Sequence, residues 1–217
     1  MNRKTLILSV LAVAVTVFAV AAWYVSRPAT SDSSATTQVA APLVRPWSPI
    51  LGPAKAPVTI VEFFDPACET CRAMYPIVKD IMAEHGKAVR VVIRYTPFHG
   101  EVSEEAIRVL EAARVQGVYE PVLEALLREQ PQWASHGGFR PDLILPIAQA
   151  AGLDTEAAKE QVRAPAVDAI LQNDRADGRA YGIRATPTFF VNGRPLPRFG
   201  VMELRTLVAE QVAARGS

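Results

Sequence analysis

Apolar side chains follow a strand-like pattern in two runs that flank a helix-like pattern. Val58–Phe64 is a β-rich run of strand length, and its near-continuous apolar character indicates a central strand that is buried on both faces. Residues 68–85 carry apolar side chains at helical spacing, and residues 89–96 form a second β-rich run. This order of elements predicts a βαβ unit.

The rest of the chain is predicted to be a helical block followed by a hairpin and a last helix. Ser103 is expected to cap the first helix of the block, and Asn192-Gly193 is typical of a hairpin turn. The helices are predicted at residues 103–117, 119–130, 142–151, 155–162, 167–181 and 202–214, and the hairpin strands at 188–191 and 195–199. The predicted fold class is therefore α/β, with a βαβ half, a helical insertion at about residues 100–180, and a ββα half.

The N-terminal segment predicts export. Arg3 and Lys4 precede an uncharged apolar stretch, residues 5–25, which is long enough to cross a bilayer as a helix. It is either an uncleaved signal anchor or a signal peptide that is cleaved near residues 19–21, and its length favours the anchor. Because positive residues stay in the cytoplasm, we expect the chain that follows to lie in an oxidising compartment.

Three segments are predicted from these patterns. Residues 1–25 are the signal anchor or signal peptide, and residues 26–48, which are polar and rich in Ser and Thr at first, form a flexible spacer. Residues 49–217 are long enough for one domain with a substantial core.

Charge and cysteine content limit the chemistry. Lys and Arg number 23 against 22 Asp and Glu, so there is no basic excess of the kind that binds nucleic acid. Cys68 and Cys71 are the only cysteines, so no other thiol can form a structural disulfide or complete a four-thiolate zinc site. No metal is expected, and no cofactor beyond a redox-active disulfide between these two cysteines.

The two cysteines form a Cys-x-x-Cys motif between a predicted strand and the start of a predicted helix. Unpaired N–H groups and the helix dipole favour a thiolate at Cys68, which is expected to be the exposed nucleophile. Cys71, one turn further on, could then resolve a mixed disulfide. The motif could also be half of a metal site or a pair of inert core thiols, but no second cysteine pair or nearby His pair completes a metal site.

The stretches VEFFDPACETC and ATPTFFVNG, with the helical block between them, resemble the DsbA-like thiol-disulfide oxidoreductases of the periplasm, which have a thioredoxin fold. The resemblance covers roughly residues 51–214. It implies that Pro187 is the cis-proline facing the active-site disulfide and that the backbone of Thr186 pairs with the substrate chain. A simple strand-start role for Thr186-Pro187 is the alternative.

The resemblance also implies a role for Glu62, a carboxylate within the apolar strand. In this fold a buried acid commonly lies beneath the active site, where burial would raise its pKa and let it accept the proton of Cys71. A surface position at a strand edge is the alternative. Glu69 and Thr70, between the cysteines, replace the Pro-His pair of strongly oxidising members. The charge of Glu69 is expected to disfavour the Cys68 thiolate and make the disulfide less oxidising.

The expected function is exchange of disulfides with exported proteins, with net oxidation of the substrate and reoxidation by a membrane redox partner. A reductase or isomerase of the same fold is the alternative, and a Cu(I) carrier using the two thiolates is a third. The resemblance implies a periplasmic location, either anchored in the inner membrane by residues 5–25 or soluble after signal cleavage. A monomer is expected.

Overall fold

A computed structural model describes Asn2 and residues 42–135 and 138–215 of the chain. The predicted signal anchor or signal peptide, residues 1–25, and most of the predicted spacer, residues 26–48, lie outside the described residues. The described fold belongs to the second of two units, Ala40–Ser217. Within the described part of the chain, no helix has the length and apolar character that are needed to cross a membrane.

A five-stranded sheet forms the centre of the fold, in the order β1-β3-β2-β6-β7. Strands β2 and β3 are parallel and the other pairs are antiparallel. The strands are β1 (Ile50–Leu51), β2 (Val58–Phe64), β3 (Val89–Tyr95), β6 (Thr188–Val191) and β7 (Arg194–Pro195), and a separate small hairpin is formed by β4 (Ala134–Ser135) and β5 (Gly138–Phe139). The predicted central position of β2 is confirmed.

Eight α-helices lie in the described residues, and most of them belong to the insertion. Helix α1 (Glu69–His85) joins β2 to β3 and completes the predicted βαβ unit. The insertion contains α2 (Glu101–Val115), α3 (Tyr119–Arg128), α4 (Gln130–Trp133), α5 (Ile144–Ala150), α6 (Thr155–Gln161) and α7 (Pro165–Ala180), and α8 (Val201–Ala213) follows the last strand. The predicted order of a βαβ half, a helical insertion and a ββα half is confirmed.

Two local predictions are wrong. Ser103 is not a helix cap, because α2 begins at Glu101 and Ser103 is buried within its first turn. The second hairpin strand is also shorter than predicted, since β7 has two residues rather than five. Its pairing ends with the bond from the Leu196 amide to the Phe189 carbonyl, and Pro197 has no N–H group with which to continue.

The two faces of β2 contact different parts of the interior. Val61 and Phe63 pack with Phe190 in a smaller cluster on one face. Ile60 and Phe64 belong to the main core on the other face. Glu62 alternates with Val61 and Phe63 along the strand, so its carboxyl group faces the main core.

The N-terminal part of the described chain is fastened to the sheet by a buried ion network. Arg94 on β3 is fully buried, and it donates to the carbonyl oxygens of Pro42 and Leu43 at 3.1 and 2.7 Å. We call the side chains of Arg45, Trp47, Arg94, Asp174 and Asp177 the N-terminal clamp. Arg45 binds Asp177 through two hydrogen bonds of 2.8 and 2.7 Å, and both Arg94 and the Trp47 indole donate to Asp174.

The N-terminal clamp includes residues that were predicted to be part of the flexible spacer. Residues 42–48 are the last part of the predicted flexible spacer, yet they contact helix α7 and strand β3. The contacts depend on charged side chains of α7 that are distant in sequence, which a local pattern does not reveal.

Candidate active site

The two cysteines lie at the N-terminal end of α1. Cys68 is the N-cap residue and Cys71 lies in the first turn, so the end of β2 and the start of α1 fix both positions. Both are free thiols. Cys68 is 7% exposed and Cys71 is fully buried, so the expected exposure of Cys68 holds only in comparison with its partner. An incoming thiolate therefore reaches Cys68 more easily than Cys71.

The two thiols differ in acidity. A hydrogen bond with the Cys71 thiol is the largest influence on Cys68, and it lowers the Cys68 pKa to about 5 against the opposing effect of burial. Hydrogen bonds from the Thr186 side chain and from the backbone at residues 70 and 71 lower it further. Burial, followed by the influence of Cys68 and Glu62, raises the pKa of Cys71 far above its usual range. At neutral pH the site therefore holds a thiolate at Cys68 and a thiol at Cys71.

The loop before β6 faces the first cysteine. The Thr186-Pro187 peptide bond is cis, as the family resemblance implied. The Cys68 Sγ atom lies 3.3 Å from the carbonyl oxygen of Thr186, to which the protonated thiol donates. Pro187 is buried and Thr186 is partly exposed, and the backbone of Thr186 lies beside the Cys68 sulfur.

Glu62 lies within the core beneath the cysteines. It is 1% exposed, which excludes the surface position considered for it. Its Oε1 atom has no hydrogen-bond partner in the described part of the chain. Burial, with a smaller contribution from the negative charge of Cys68, raises the pKa of Glu62 to about 8. This carboxyl group therefore holds a proton at neutral pH, and its role as a proton acceptor for Cys71 stays a prediction.

Glu69 and Thr70 are exposed on the first turn of α1. Glu69 was expected to disfavour the Cys68 thiolate. The pKa of Cys68 is nevertheless well below its ordinary value, because the hydrogen bonds to the sulfur outweigh the opposing influences. The effect of these two residues on the redox potential stays a prediction.

Asp65 is a structural residue of the site that the sequence analysis missed. It is fully buried between β2 and α1. Its Oδ1 atom accepts a hydrogen bond from the Ala67 amide at 2.9 Å, and its Oδ2 atom accepts from the Phe98 amide at 2.7 Å and lies 2.8 Å from His99 Nδ1. Asp65 thus joins the segment that leads to Cys68 to the loop after β3. The Asp-Pro pair at the end of a predicted strand was the available signal.

Gln130 was also missed, and no local pattern identifies it. It is 1% exposed at the start of α4, in the insertion. Its amide nitrogen donates to the carbonyl oxygens of Pro66 at 2.7 Å and Cys68 at 3.1 Å. The insertion therefore supports the backbone that holds the reactive cysteine.

Among residues 42–135 and 138–215, no three or more His, Cys, Asp or Glu side chains are grouped so that they could hold a metal ion.

The fold and the paired cysteines define a protein of the thioredoxin superfamily, and its architecture is DsbA-like. The family model described as thioredoxin matches residues 45–208, about three quarters of the chain. The chain belongs to this family. The match begins within the N-terminal clamp, in agreement with its contacts to the sheet.

Several solved structures share the architecture. A thioredoxin-like oxidoreductase from Silicibacter pomeroyi DSS-3 is 33% identical, with a TM-score of 0.68 over 81% of this chain and 96% of that one. BdbD from Bacillus subtilis is 24% identical, with a TM-score of 0.68 over 77% and 94% of the two chains. The thiol-disulfide exchange protein alpha-DsbA2 from Wolbachia pipientis is 22% identical, with a TM-score of 0.62 over 75% and 86%. The last two similarities show the fold alone.

The curated relatives are longer proteins that are named as Na(+)/H(+) antiporters. The Na(+)/H(+) antiporter NhaA of Herminiimonas arsenicoxydans is 36% identical over 76% of this chain, and the antiporter NhaA 1 of Salinispora arenicola is 34% identical over 67%. The chain spans about a quarter of the length of these relatives.

Proposed function

We propose that this protein is a thiol-disulfide oxidoreductase that oxidises exported proteins through Cys68 and Cys71. The observation that carries the proposal is the position of the Cys68 sulfur, at a helix N-terminus and 3.3 Å from the Thr186 carbonyl, with its pKa lowered to about 5. The similar structure from Silicibacter pomeroyi, which is called a thioredoxin-like oxidoreductase, supports the same class of reaction.

The first step of substrate oxidation breaks the Cys68–Cys71 disulfide. A substrate thiolate attacks the Cys68 sulfur and forms a mixed disulfide, and Cys71 leaves with the bonding electron pair. Because burial raises the pKa of Cys71 so strongly, it leaves readily only when it gains a proton. Glu62, whose pKa is about 8, holds the proton that it needs. In the reverse step the same carboxylate accepts the proton of Cys71.

The second step releases the oxidised substrate. Another substrate thiolate attacks the substrate sulfur of the mixed disulfide, and Cys68 leaves as a thiolate. The low pKa of Cys68 makes it a good leaving group. Two electrons have then passed from the substrate dithiol to the cysteine pair, and a membrane redox partner with a quinone-linked acceptor takes them away. Thr186 holds the extended substrate chain through its backbone, and Pro187 shapes that loop.

The place of action follows from the same proposal. Stable disulfide formation requires an oxidising compartment, and the periplasm supplies it. Residues 5–25 would hold the domain at the inner membrane as an uncleaved anchor, or a cleaved signal peptide would release it.

A reductase of the same fold is the second candidate, and Glu69 favours it. A negative charge beside Cys68 makes the thiolate less stable, and so makes the disulfide less oxidising. A thiol pKa of about 5 lies between the approximate values of 7 for thioredoxin and 3.5 for DsbA. We therefore expect a redox potential between about −270 and −120 mV.

The test combines trapping with the thiol state in cells. In a bacterial host, Cys71→Ser should accumulate mixed disulfides with exported proteins through Cys68, whereas Cys68→Ser should trap none. Alkylation of the unmodified protein in cells should find the pair mainly oxidised. Equal trapping by the two variants would contradict the assigned roles, and a mainly reduced pair would favour the reductase.

A further inference from the structure

A pocket lies between the loop after β3 and the C-terminal half of α7. Its volume is about 280 Å³, just below the roughly 300–1,000 Å³ of sites for drug-sized ligands, so its size suits one side chain of a larger partner. The pocket is lined by residues 96–98, Arg175, Gly178, Arg179 and Ile183. We call it the Arg179 pocket.

The Arg179 pocket lies at the same edge of the sheet as the cysteines. Strands β2 and β3 are adjacent and parallel, and Cys68 and Phe98 each follow the end of one of them within four residues. The carboxyl ends of neighbouring parallel strands meet at one edge, where ligands commonly bind. Asp65 joins the two segments, because its carboxylate accepts hydrogen bonds from the amides of Ala67 and Phe98 at 2.9 and 2.7 Å.

The pocket is also close to the backbone that faces the reactive sulfur. Ile183 in its wall precedes Thr186 by three residues, and three residues span at most about 11 Å. The carbonyl oxygen of Thr186 lies 3.3 Å from the Cys68 Sγ atom. A polypeptide that contacts the backbone of Thr186 therefore needs about three residues of its own to reach the pocket.

The charges around the pocket leave one cation without a carboxylate. Arg175 and Arg179 are four positions apart on α7, so they share a face of the helix, where like charges are unfavourable. Glu104 on α2 pairs with Arg175. Arg179 is exposed and has no ion pair within the part of the chain that the structure describes. Asp177 on the same helix already belongs to the N-terminal clamp, so a carboxylate for Arg179 has to come from a partner.

The rest of the pocket complements a carboxylate on an apolar stem. Pro97, Phe98 and Ile183 form apolar walls, and the Phe98 side chain is 52% exposed although it is large and aromatic. Thr96 is 5% exposed, and its Oγ1 atom has no hydrogen-bond partner among the described residues. The methylene groups of a glutamate match the apolar walls, and its carboxylate matches Arg179.

We propose that the Arg179 pocket binds an acidic side chain of the substrate polypeptide, about three residues from the cysteine that reacts with Cys68. The proposal rests on the function proposed above and narrows its substrates to exported proteins with a Glu or Asp near the reactive cysteine. The carboxylate pairs with the Arg179 guanidinium, and the stem packs on Phe98. Arg179 is thus a residue that determines specificity, and it takes no part in the exchange of disulfides.

The first measurement compares dithiol peptides that differ only in a Glu or a Gln three positions from the attacking cysteine, on each side in turn. In single-turnover reactions with the oxidised protein, we expect the better-placed Glu to raise the second-order rate constant about fivefold. This ratio corresponds to about 1 kcal/mol, the upper end for a partly exposed ion pair. A ratio near one for both placements would overturn the proposal.

Variants of Arg179 separate binding in the pocket from a general effect of charge. Arg179→Gln should bring the ratio between the two peptides to about one, and Arg179→Glu should instead favour a peptide with Lys at that position. The matched control is Arg163→Gln, which removes the same charge from an exposed position just before the other end of α7 and should keep the fivefold ratio. Equal loss of the ratio in Arg179→Gln and Arg163→Gln would contradict a role for the pocket.

The second measurement needs no thiol chemistry. In methyl NMR spectra of the reduced full chain, a peptide with Glu, and with Ser in place of its cysteines, should shift the Ile183 methyl signal but not that of Ile147 on α5. The Gln peptide and the Arg179→Gln variant should show no such shift. An equal shift with N-acetylglutamate at the same concentration would overturn the proposal, because the pocket would then bind small carboxylates.

The two measurements also separate this proposal from the proposed function. If the unmodified protein exchanges disulfides with none of the peptides, the proposed function fails. The methyl spectra still decide whether the pocket binds the acidic peptide, and an unshifted Ile183 signal would overturn the proposal even if disulfide exchange is observed.

Discussion

Glu62 makes the stability of the domain depend on pH in an unusual direction for a carboxyl group. Its pKa is about 8 in the folded state and about 4.3 in an unfolded chain. Between these values the folded state holds a proton that the unfolded state has lost. The contribution of Glu62 to the free energy of unfolding therefore decreases as the pH rises through this range, by up to about 1.4 kcal/mol per pH unit, whereas the lowered pKa of Cys68 contributes in the opposite direction above about pH 5.

Glu62→Gln should remove the Glu62 contribution and leave that of Cys68, because an amide has no proton to lose in this range. We expect the variant to be more stable than the unmodified reduced protein near pH 8, and the difference to diminish towards pH 5. Urea unfolding at several pH values measures it. An identical pH dependence in the two proteins would show that Glu62 titrates normally.

At the level of single residues, the functional residues that could be predicted from the sequence are those that belong to a short local pattern. Cys68, Cys71 and Pro187 belong to short patterns, and Glu62 is conspicuous as a charge in an apolar strand. Gln130 has no such signal. It acts through carbonyl groups that are distant in sequence, and only the folded chain brings them within hydrogen-bond distance.

The contribution of helix α4 to the active site can be tested through Gln130. Gln130→Leu would leave the carbonyl groups of Pro66 and Cys68 without their donor, and an unsatisfied buried polar group costs about 1–3 kcal/mol. Gln132→Leu, on the same helix but exposed, should change stability by less than about 0.5 kcal/mol.

Urea unfolding of the two variants gives the difference, and alkylation of Cys68 as a function of pH reports on the site itself. Equal stabilities for Gln130→Leu and Gln132→Leu would mean that the buried amide does not support the segment before α1.

The limits of helix and strand prediction have a physical cause as well. The long periodic helices were predicted within a few residues, since a buried face repeats over several turns. Strand β1 has only two residues and β7 is followed by Pro197, so neither carries enough pattern to define its extent. Both depend on pairing with a neighbouring strand.

For the molecule as a whole, the N-terminal clamp is a buried ion network, and losing one of its partners is expected to be costly. Arg94 is fully buried and binds both Asp174 and Asp177. Arg94→Met should destabilise the protein by about 3–5 kcal/mol, because it leaves the two aspartates without their buried partner. Arg90→Met, on the same strand, is the control, and its partner Thr59 carries no charge.

Thermal or urea unfolding compares the two variants. The pKa of Asp177 is lowered, mainly by Arg45 and also by Arg94, so the clamp contributes fully above about pH 4 and is weakened as the pH falls further. Similar losses for Arg94→Met and Arg90→Met would contradict the special role of the network.

The clamp has a mechanical consequence too. Tension applied to the chain before Pro42 would reach Arg94 through the carbonyl groups of Pro42 and Leu43 before it reached β1. The pull would therefore enter the sheet at β3, and the two-residue edge strand would be shielded from it. A force on the N-terminal side of the domain would then be carried by β3, and the pairing of β1 with β3 would be preserved.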